Sequence, residues 1–435
     1  MSTHYQNIKG TFDILPDEHF LGDTRVASSA EWQHVESTIR EVMQRFNLEE
    51  IRTPVLEPTE LVARGIGEMT DIVSKEMFAF ERNDTNYVLR PEITAPVVRS
   101  FLQHHLDQRG GVQKLFYIGP CFRAERPQKG RYRQFHQFGC EVMGTDDARA
   151  DAETIHLMMA IYEAFGIDDT VLRINTIGDA DTRPQYVEAL RNYLQPYQDE
   201  LTETSQRRLD ENPLRILDTK NEHERDILQE APHLIDFVDA DSRARYEEVK
   251  ELLGALDIDF EEDPYLVRGL DYYTHTAFEL ESPALGAQSA LAGGGRYDLL
   301  AQELGSDDRV PATGFAAGME RLFLALDAAG DPMPEAPRPD AFLAALGEEA
   351  ERWVFRRTQE LRAAGLHIAH DLKGRSLKAQ MREANRQEAP YAVIIGGREL
   401  NDGRAQVKHM ASGEQVEVPF DDLADYLQEG RLKPA

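Results

Sequence analysis

Residues 116–144 limit the possible folds more than any other stretch, because they predict two strands joined by a basic loop. The residues before the loop are apolar and β-prone, and Phe135, Phe138 and Cys140 belong to the second strand. The loop itself carries the cations Arg123, Arg126, Lys129, Arg131 and Arg133. Such a hairpin can hold a polyphosphate between its strands and present its tip to a second polyanion. Because basic loops are also common on protein surfaces, the hairpin alone leaves an unspecialised surface loop open.

The length of 435 residues is enough for two or three domains, and a hydrophobic content of 41% suits globular folding. No stretch approaches the roughly 20 apolar residues that a membrane span needs, and the N-terminus lacks the apolar core of a secretion signal. We therefore expect a cytoplasmic protein without a membrane partner. The only cysteines, Cys121 and Cys140, are too few for a zinc framework, so we expect two reduced thiols packed in strands.

The net charge of −30 argues, taken alone, against a nucleic-acid partner. However, the acidic residues are spread along the chain and arginine greatly outnumbers lysine, a composition that predicts adaptation to high salt. In so acidic a chain the remaining basic clusters are informative. They lie in the loop 123–133 and in the C-terminal region 352–386.

The pattern before the hairpin predicts a helix, an extended segment and a second hairpin. Residues 30–47 carry apolar side chains at three- and four-residue steps, and an extended segment around Pro54 follows. The runs 77–80 and 87–89 predict two strands across a polar turn. Residues 90–94, with the sequence RPEIT, then open a helix, where Glu92 and Thr94 either cap the helix or bind an ammonium group.

The pattern after the hairpin predicts a helix over 151–166, a strand at 171–176, and a polar, acidic and mostly helical region from about 180 to 250. The block 266–276, LVRGLDYYTHT, places an arginine and a tyrosine pair beside a glycine. Arginine presents a fixed cation to a carboxylate or phosphate, and tyrosine hydroxyls can bond an imidazole. Three glycines in the strand 290–298 let backbone approach a ligand, and 312–322 predicts a strand running into a helix that carries Arg321 near its start.

The C-terminal quarter follows a proline-rich linker, 331–339, which predicts a domain boundary. Beyond it strands and helices alternate, as expected of a small α/β domain. Its second helix carries Arg375, Lys378, Arg382 and Arg386. This basic face is either a solvated surface or an RNA contact, and the strongly acidic context favours RNA.

These blocks, in this order, resemble the histidyl-tRNA synthetases, a family of class II aminoacyl-tRNA synthetases. RPQKGRYRQFHQ resembles their motif 2, the helix 30–47 with IRTPVLEPTEL resembles motif 1, and 312–322 resembles motif 3. RPEIT is similar to their RPE-x-T block, with Ile93 where many members have glycine. The string GLDYYTHT resembles a block that separates this family from other class II enzymes.

The resemblance implies the fold class and the domains. We expect an α/β (α+β) protein with a class II antiparallel sheet flanked by helices, a helical insertion, and a C-terminal α/β anticodon-binding domain. The expected bounds are, in chain order, 1–175 for the N-terminal segment of the catalytic core, 176–255 for the insertion, 256–330 for the C-terminal segment of the catalytic core, 331–339 for the linker and 340–435 for the anticodon-binding domain.

The resemblance also implies a histidine–tRNA ligase that activates L-histidine with ATP and passes it to the 3′ end of tRNA-His. The partners implied are ATP, Mg²⁺ carried by ATP, and a second copy of the chain in a homodimer. Arg123 and Arg268 are implied as catalytic cations, Arg123, Glu125 and Arg321 as ATP-binding residues, and Gln128 as the contact to the tRNA acceptor stem. The residues implied to bind histidine are Glu92, Ile93, Thr94, Arg123, Gln137, Glu141, Arg268, Tyr272 and Tyr273.

Three other functions compete with this one. A regulatory subunit of ATP phosphoribosyltransferase shares the fold and senses histidine, but it generally lacks the C-terminal domain. The GLDYYTHT block argues against a different class II synthetase. A simple RNA-binding module has no need of arginines placed like Arg123 and Arg321.

Overall fold

The structure is a computed structural model that describes residues 5–67, 70, 72–179, 181–217, 219–267, 272–330, 333 and 337–431. Residue contacts divide the chain into two compact units, Met1–Pro334 and Glu335–Ala435, and each is described by itself. Most of the predicted linker, namely residues 331, 332 and 334–336, lies outside the described residues. In the described part of the chain, no helix has the length and apolarity needed to cross a bilayer.

The elements of the chain are numbered here in sequence order. The helices are α1 (Ser29–Arg45), α2 (Thr59–Ile66), α3 (Thr94–Gln103), α4 (Ala148–Glu163), α5 (Thr182–Leu194), α6 (Glu203–Glu211), α7 (Glu222–Leu228), α8 (Ala240–Ala255), α9 (Leu300–Glu303), α10 (Met319–Ala329), α11 (Glu348–Ala363), α12 (Leu377–Arg386), α13 (Gly397–Asp402) and α14 (Leu423–Arg431). The strands are β1 (His19–Leu21), β2 (Thr24–Val26), β3 (Glu49–Glu50), β4 (Leu56–Pro58), β5 (Phe78–Arg82), β6 (Thr85–Leu89), β7 (Gln113–Phe122), β8 (Gln134–Met143), β9 (Val171–Thr176), β10 (Glu261–Glu262), β11 (Thr274–Glu281), β12 (Ala290–Arg296), β13 (Ala312–Gly318), β14 (Ala341–Ala345), β15 (Ile368–His370), β16 (Tyr391–Ile395), β17 (Arg404–His409) and β18 (Gln415–Pro419).

An eight-stranded sheet forms the centre of the first unit, in the order β10-β9-β11-β12-β13-β8-β7-β3. The run from β9 to β7 is antiparallel throughout, and only the short edge strands β10 and β3 pair in parallel. The basic hairpin is β7–β8, paired from Gln113 with Met143 to Phe122 with Gln134. The predicted strand–loop–strand arrangement is thereby confirmed.

Helix α1 shows why the sequence pattern places helices against this sheet. Its residues Trp32, Val35, Ile39 and Met43 recur at helical spacing, and all are buried in the main core with residues of α4 and α10. Ser28 and Glu31 form a capping box that begins the helix. The predicted helix at 30–47 is confirmed, with its boundaries shifted by one or two residues.

A second hairpin, β5–β6, pairs in a three-stranded sheet with β4. Its turn is made by Asn83 and Asp84, both in the left-handed region, as a two-residue hairpin turn requires. Helix α3 then begins at Thr94. The apolar residues of this helix pack in a second core cluster, separate from the one that contains α1. The predicted hairpin and helix opening are therefore both confirmed.

The acidic region between β9 and β11 is helical, as predicted. Helices α5, α6 and α7 surround a small core of their own, which includes Tyr186, Leu190 and Leu209. Helix α8 differs from them, because Tyr246 and Val249 are buried in the main core. This segment is thus anchored to the central sheet through its last helix.

The second unit is a five-stranded sheet in the order β15-β14-β16-β17-β18. Strands β15, β14 and β16 are parallel, and β17 and β18 continue antiparallel. Helices α11 and α14 contribute to one apolar cluster and α12 to another. The alternation predicted from the sequence, including the last two strands and the final helix, is confirmed.

Candidate active site

A cavity of about 320 Å³ lies in the first unit over the antiparallel sheet. Its residues come from the basic loop, from β8, β11, β12 and β13, from the tyrosine pair, and from the starts of α3 and α10. The sequence-predicted residues that line it are Glu92, Thr94, Arg123, Glu125, Gln137, Glu141, Tyr272, Tyr273 and Arg321. Residues separated by more than 200 positions thus converge on one site, which is of the size that small ligands fill.

Arg123 leaves the end of β7 and enters the cavity. Its Nε donates to the carbonyl of Pro91 at 3.0 Å, and its guanidinium lies 5.2 Å from the centre of the Phe135 ring. Its backbone N–H donates to the carbonyl of Arg133 at 2.9 Å, which closes the base of the loop. These contacts hold one arginine cation against an aromatic face, where both can meet a nucleotide.

Arg321 stands in the first turn of α10 at the other side of the cavity. Its Nη1 donates to the carbonyl of Ala290 at 2.5 Å. Burial lowers the pKa of Arg321 from its usual value, and the neighbouring guanidinium of Arg131 lowers it further. An arginine remains charged even so, and the carboxylates of Glu279 and Glu125 offset only part of these two effects, so a bound anion would stabilise the charge of Arg321.

The Glu125 carboxylate lies between two of the loop arginines. Its carboxylate accepts from Nη1 of Arg131 at 3.1 Å and lies 3.7 Å from Nη1 of Arg123. Gln128 is exposed at the loop tip and does not line the cavity. The loop therefore directs Arg123 and Arg131 inwards and leaves Gln128 open to a partner outside.

Glu92 lies at the start of α3. Its carboxylate accepts from the backbone N–H groups of Thr94, at 2.6 Å, and Ala95, at 3.0 Å. The side chain is 4% exposed, and burial raises its pKa in spite of these hydrogen bonds and of the charge of Arg123. Glu92 thus caps the helix and lines the cavity at once, so the two interpretations left open by the sequence are compatible.

Glu141 is the most deeply buried acid of the cavity, with 1% of its surface exposed. The Tyr117 hydroxyl donates to Oε1 at 3.2 Å, and the Tyr297 hydroxyl donates to Oε2 in a short contact. Burial raises the pKa of Glu141 to about 8, although these hydrogen bonds work in the opposite direction. Gly314 leaves room for this arrangement, because a Cβ there would lie 2.0 Å from Oε2.

Aromatic rings surround this carboxyl group. Tyr272 and Tyr273 are both at least nine-tenths buried, with ring centres 4.7 Å apart. Tyr272 also meets Tyr297 edge-on at 5.6 Å. The result is a narrow aromatic pocket with the Glu141 carboxyl at its base, which suits a small ring that carries hydrogen-bonding nitrogens.

Some residues predicted for the site do not line the cavity. The side chain of Ile93 is 1% exposed and packs in the core cluster of α3, so its assignment to histidine binding is corrected for the side chain. Among the three consecutive glycines, Gly293 lines the cavity, whereas a Cβ at Gly294 would lie 2.1 Å from the carbonyl of Gly314. Gly294 is therefore required by strand packing. Arg268 lies outside the described residues.

The sequence interpretation missed several residues of the site. Tyr117 and Tyr297 hold Glu141, and Glu320 accepts from the backbone N–H of His136 at 2.9 Å while lying 3.0 Å from its Nδ1. For Tyr117 one signal was available. It pairs with Gly139 across the hairpin, and a bulky ring opposite a glycine indicates that the ring packs closely over that glycine. No local pattern indicated Tyr297.

Two further predictions concern the cysteine thiols and the basic helix of the C-terminal unit. Cys121 and Cys140 are free and buried in β7 and β8, as predicted. On α12 and just before it, Arg375 pairs with Asp371 and Glu383, and Arg386 also pairs with Glu383. Acidic partners thus neutralise some of the basic face on which RNA contact was predicted.

The raised pKa of Glu141 predicts how stability depends on pH. Between pH 4.5 and about 8 the folded protein holds a proton on Glu141 that the unfolded chain has lost, so this residue makes stability fall as the pH rises. The free energy of unfolding that is lost over this pH range is at most about 5 kcal/mol. We expect the free energy of unfolding of Glu141→Gln to rise progressively relative to that of the parent protein between pH 5.5 and 8.5, as measured by urea unfolding without ligands.

Glu31 offers a matched control for that experiment. Burial acts to raise its pKa, but hydrogen bonds from Ser28 and Arg25 outweigh burial and bring the pKa below its usual value. Glu31→Gln should therefore lose stability at neutral pH and approach the parent protein in acid. The same pH trend in both variants would contradict the assignment of a proton to Glu141.

Comparison with known proteins bears on this site. Residues 21–322 match the family described as histidyl-tRNA synthetase, and residues 340–430 match the anticodon binding domain. A histidine–tRNA ligase of Chloroherpeton thalassium is 50% identical over 429 residues, which cover 98% of each chain. A histidine–tRNA ligase of Synechococcus sp. is 48% identical over 423 residues, 97% of this chain and 98% of that protein.

Solved structures agree with these matches. The apo S. aureus histidyl-tRNA synthetase superimposes with a TM-score of 0.81 at 36% identity, covering 98% of this chain and 100% of that one. An ATP phosphoribosyltransferase regulatory subunit/histidyl-tRNA synthetase from Bacillus halodurans C has a TM-score of 0.63 at 21% identity, covering 91% of this chain and 100% of that one. At that identity it shares the fold alone.

Proposed function

The chain belongs to the histidyl-tRNA synthetase family, and from this premise we propose how its residues divide the work of joining histidine to tRNA. It is a histidine–tRNA ligase, an enzyme that uses ATP to activate histidine and then esterifies tRNA. The observation that best supports the division of roles is the cavity itself, which has Arg123 and Arg321 at its sides and Glu141 buried among tyrosines.

Histidine binds at the aromatic end of the cavity. Glu141 shares a proton with one ring nitrogen, and Tyr273 bonds the other. The ammonium group is held by Glu92, Thr94 and Gln137, and this end is supported by Tyr272. A site that satisfies a buried imidazole in this way rejects side chains without ring nitrogens, because they would leave its polar groups unpaired.

ATP binds along the cationic side. Arg123 contacts the α-phosphate and the histidine carboxylate, Glu125 orders the adenine side by holding Arg131, and Arg321 binds the far end of the nucleotide. Mg²⁺ arrives with ATP as a component of the substrate. Arg268 is proposed as a second cation at the transferring phosphorus on the strength of the sequence block alone.

The activation step needs positioning and charge neutralisation rather than a protein nucleophile. The histidine carboxylate attacks the α-phosphorus, the bond to the bridging oxygen breaks, and pyrophosphate leaves with its electron pair. The terminal ribose hydroxyl of tRNA then attacks the acyl carbon and AMP leaves. Arg123 stabilises the negative charge that grows on the phosphorus oxygens.

Histidine-dependent ATP–pyrophosphate exchange, measured with all twenty amino acids, tests the activation step. Exchange with histidine alone is expected. Tight binding of histidine without exchange would instead support the histidine-sensing alternative. Formation of histidyl-tRNA from tRNA-His then tests the transfer step, for which Gln128 at the exposed loop tip is the proposed acceptor-stem contact.

The remaining assignments are also proposals. We assign residues 1–175 and 256–330 to the catalytic core, 176–255 to the insertion, 331–339 to the linker and 340–435 to the anticodon-binding domain. The enzyme acts as a homodimer in the cytoplasm, which light scattering and cell fractionation test. The charge of −30 is proposed to reflect a saline cytoplasm, so the exchange rate should rise with added KCl.

An apolar patch in the second unit supports tRNA binding there. Phe355 and Leu372 are 58% and 80% exposed, and both line a cavity of about 200 Å³ beside His370. The His370 ring meets Phe355 edge-on at 6.2 Å. Exposed rings of this kind are surfaces on which unpaired bases stack.

Phe355→Ala is therefore expected to raise the KM for tRNA-His about tenfold in aminoacylation, because one stacking surface is lost. Pyrophosphate exchange without tRNA should be unchanged. Val416→Ala is the control. Val416 is 43% exposed on β18, which lies at the opposite edge of the sheet from β15, the strand whose His370 contacts Phe355. Equal KM values for tRNA in the two variants would contradict the role of Phe355.

A further inference from the structure

The segment 8–12, here called the N-terminal strap, lies against the basic loop 123–133. The backbone N–H of Arg133 donates to the carbonyl of Gly10 at 2.7 Å, and its Nη1 donates to the carbonyl of Lys9 at 3.3 Å. The ring of Phe12 meets that of Tyr132 edge-on at 4.9 Å. Tyr132 lines the cavity, so the strap reaches the site through a single residue.

The approach of the strap to the loop requires glycine at position 10. Gly10 has φ +89°, and a Cβ there would lie 2.6 Å from Cγ of Pro127 and 3.0 Å from Cγ of Arg133. Real Cβ atoms essentially never show a contact as short as the first, so a side chain at position 10 must displace the Pro127 ring, which belongs to the loop. The conformation also costs free energy for residues other than glycine.

A chain of backbone hydrogen bonds runs from the strap to the cavity. Gly10 accepts from Arg133, and the carbonyl of Arg133 accepts from the N–H of Arg123 at 2.9 Å. The far end of the strap is fixed, since Phe12 packs against the main core. Three residues beyond the strap, the carbonyl of Leu15 accepts from the N–H of Ser29 at the start of α1. Displacement of Gly10 is therefore transmitted to the backbone of Arg123.

The loop needs such an anchor because of its charge. Its five cations repel one another, and one of them, Arg131, lowers the pKa of Arg321 across the cavity. Glu125 offsets only a fraction of this charge, through Arg131 and Arg123. In the absence of bound anions, repulsion and loop entropy both favour a displaced loop.

We propose that the N-terminal strap is a positioning element of the activation site, which holds the basic loop closed through Gly10 so that Arg123 faces the α-phosphate. This inference rests on the proposed function for its kinetic consequence. Its structural component, the anchoring of residues 123–133 by the strap, stands independently of the reaction. Gly10 and Phe12 are positioning residues, because neither lines the cavity.

Gly10→Ala tests the proposal, with Gly22→Ala as the matched control. Gly22, between β1 and β2, also has a left-handed backbone, φ +63°, but no atom lies within 4 Å of the Cβ that alanine adds. Both variants carry the backbone cost, and only Gly10→Ala displaces Pro127 and Arg133. We expect kcat for histidine-dependent exchange to fall about 10- to 100-fold in Gly10→Ala, with the KM for histidine within about twofold of the parent value.

Amide hydrogen exchange supplies a readout that does not depend on activity. Peptides covering 123–133 should exchange faster in Gly10→Ala than in Gly22→Ala, while peptides from α1 and β12 should not change. Phe12→Ala serves as a second variant should Gly10→Ala fail to fold, and it is expected to show the same loop-specific effect. Loop exchange and kcat equal to those of Gly22→Ala would overturn the proposal. Absence of activity in the parent protein would refute the proposed function and leave the amide result to decide the role of the strap.

Discussion

Replacing Arg123 with alanine is expected to lower the rate of histidine-dependent pyrophosphate exchange about 10³-fold. The activation step builds negative charge on the α-phosphorus oxygens, and Arg123 is held towards the cavity by Pro91 and the Phe135 ring. A cation fixed in this way costs no reorganisation as the reaction proceeds, so its loss should appear mainly in kcat. Exchange measured at saturating histidine and ATP separates this effect from binding.

Arg126→Ala is the matched control for Arg123→Ala. Arg126 belongs to the same loop, but it does not line the cavity. The two substitutions remove the same charge from the same segment, so a purely electrostatic effect of the loop as a whole would appear in both. A loss of less than tenfold for Arg123→Ala, or an equal loss for Arg126→Ala, would contradict the assigned role.

Glu141→Gln should lower kcat/KM for histidine about 10²-fold, mostly through KM, with the KM for ATP retained. Tyr117 and Tyr297 both donate to the carboxyl group, one to each oxygen. Glutamine places an N–H₂ donor against one of these hydroxyl donors, and it cannot share a proton with an imidazole. The site therefore loses both its orientation and its discrimination.

The panel of twenty amino acids makes this prediction specific. In Glu141→Gln the preference for histidine over other amino acids should shrink, because a glutamine amide cannot share a proton with a ring nitrogen and so no longer favours an imidazole. Glu31→Gln again serves as the control, since Glu31 caps α1 and does not line the cavity. An unchanged KM for histidine in Glu141→Gln would show that another group recognises the imidazole.

Much of this protein follows from local sequence patterns. Apolar spacing predicted α1, and alternating β-prone runs around a basic loop predicted β7–β8. The strand that runs into the helix carrying Arg321 was predicted in the same way. These features depend on residues within a few positions of one another, so periodicity and turn chemistry suffice to find them.

Other features could not be obtained in this way. Ile93 was assigned to the ligand because it lies in the segment that resembles the RPE-x-T block, yet its side chain packs in the core cluster of α3. The basic residues of α12 and the turn before it were predicted to contact RNA, and the acidic side chains of Asp371 and Glu383 pair with two of these arginines. Both outcomes depend on which direction a side chain takes once the elements pack, and sequence spacing alone does not specify that.

Local patterns were therefore enough to predict the elements, their order and the residue types available for catalysis. Which of these residues meet depends on how the whole chain folds. Tyr297 bonds Glu141 across 156 positions, and Gly10 accepts from Arg133 because the N-terminal strap lies beside the loop. Contacts of this kind are set by strand register and by the packing of the sheet against its helices, which are properties of the whole chain rather than of any segment.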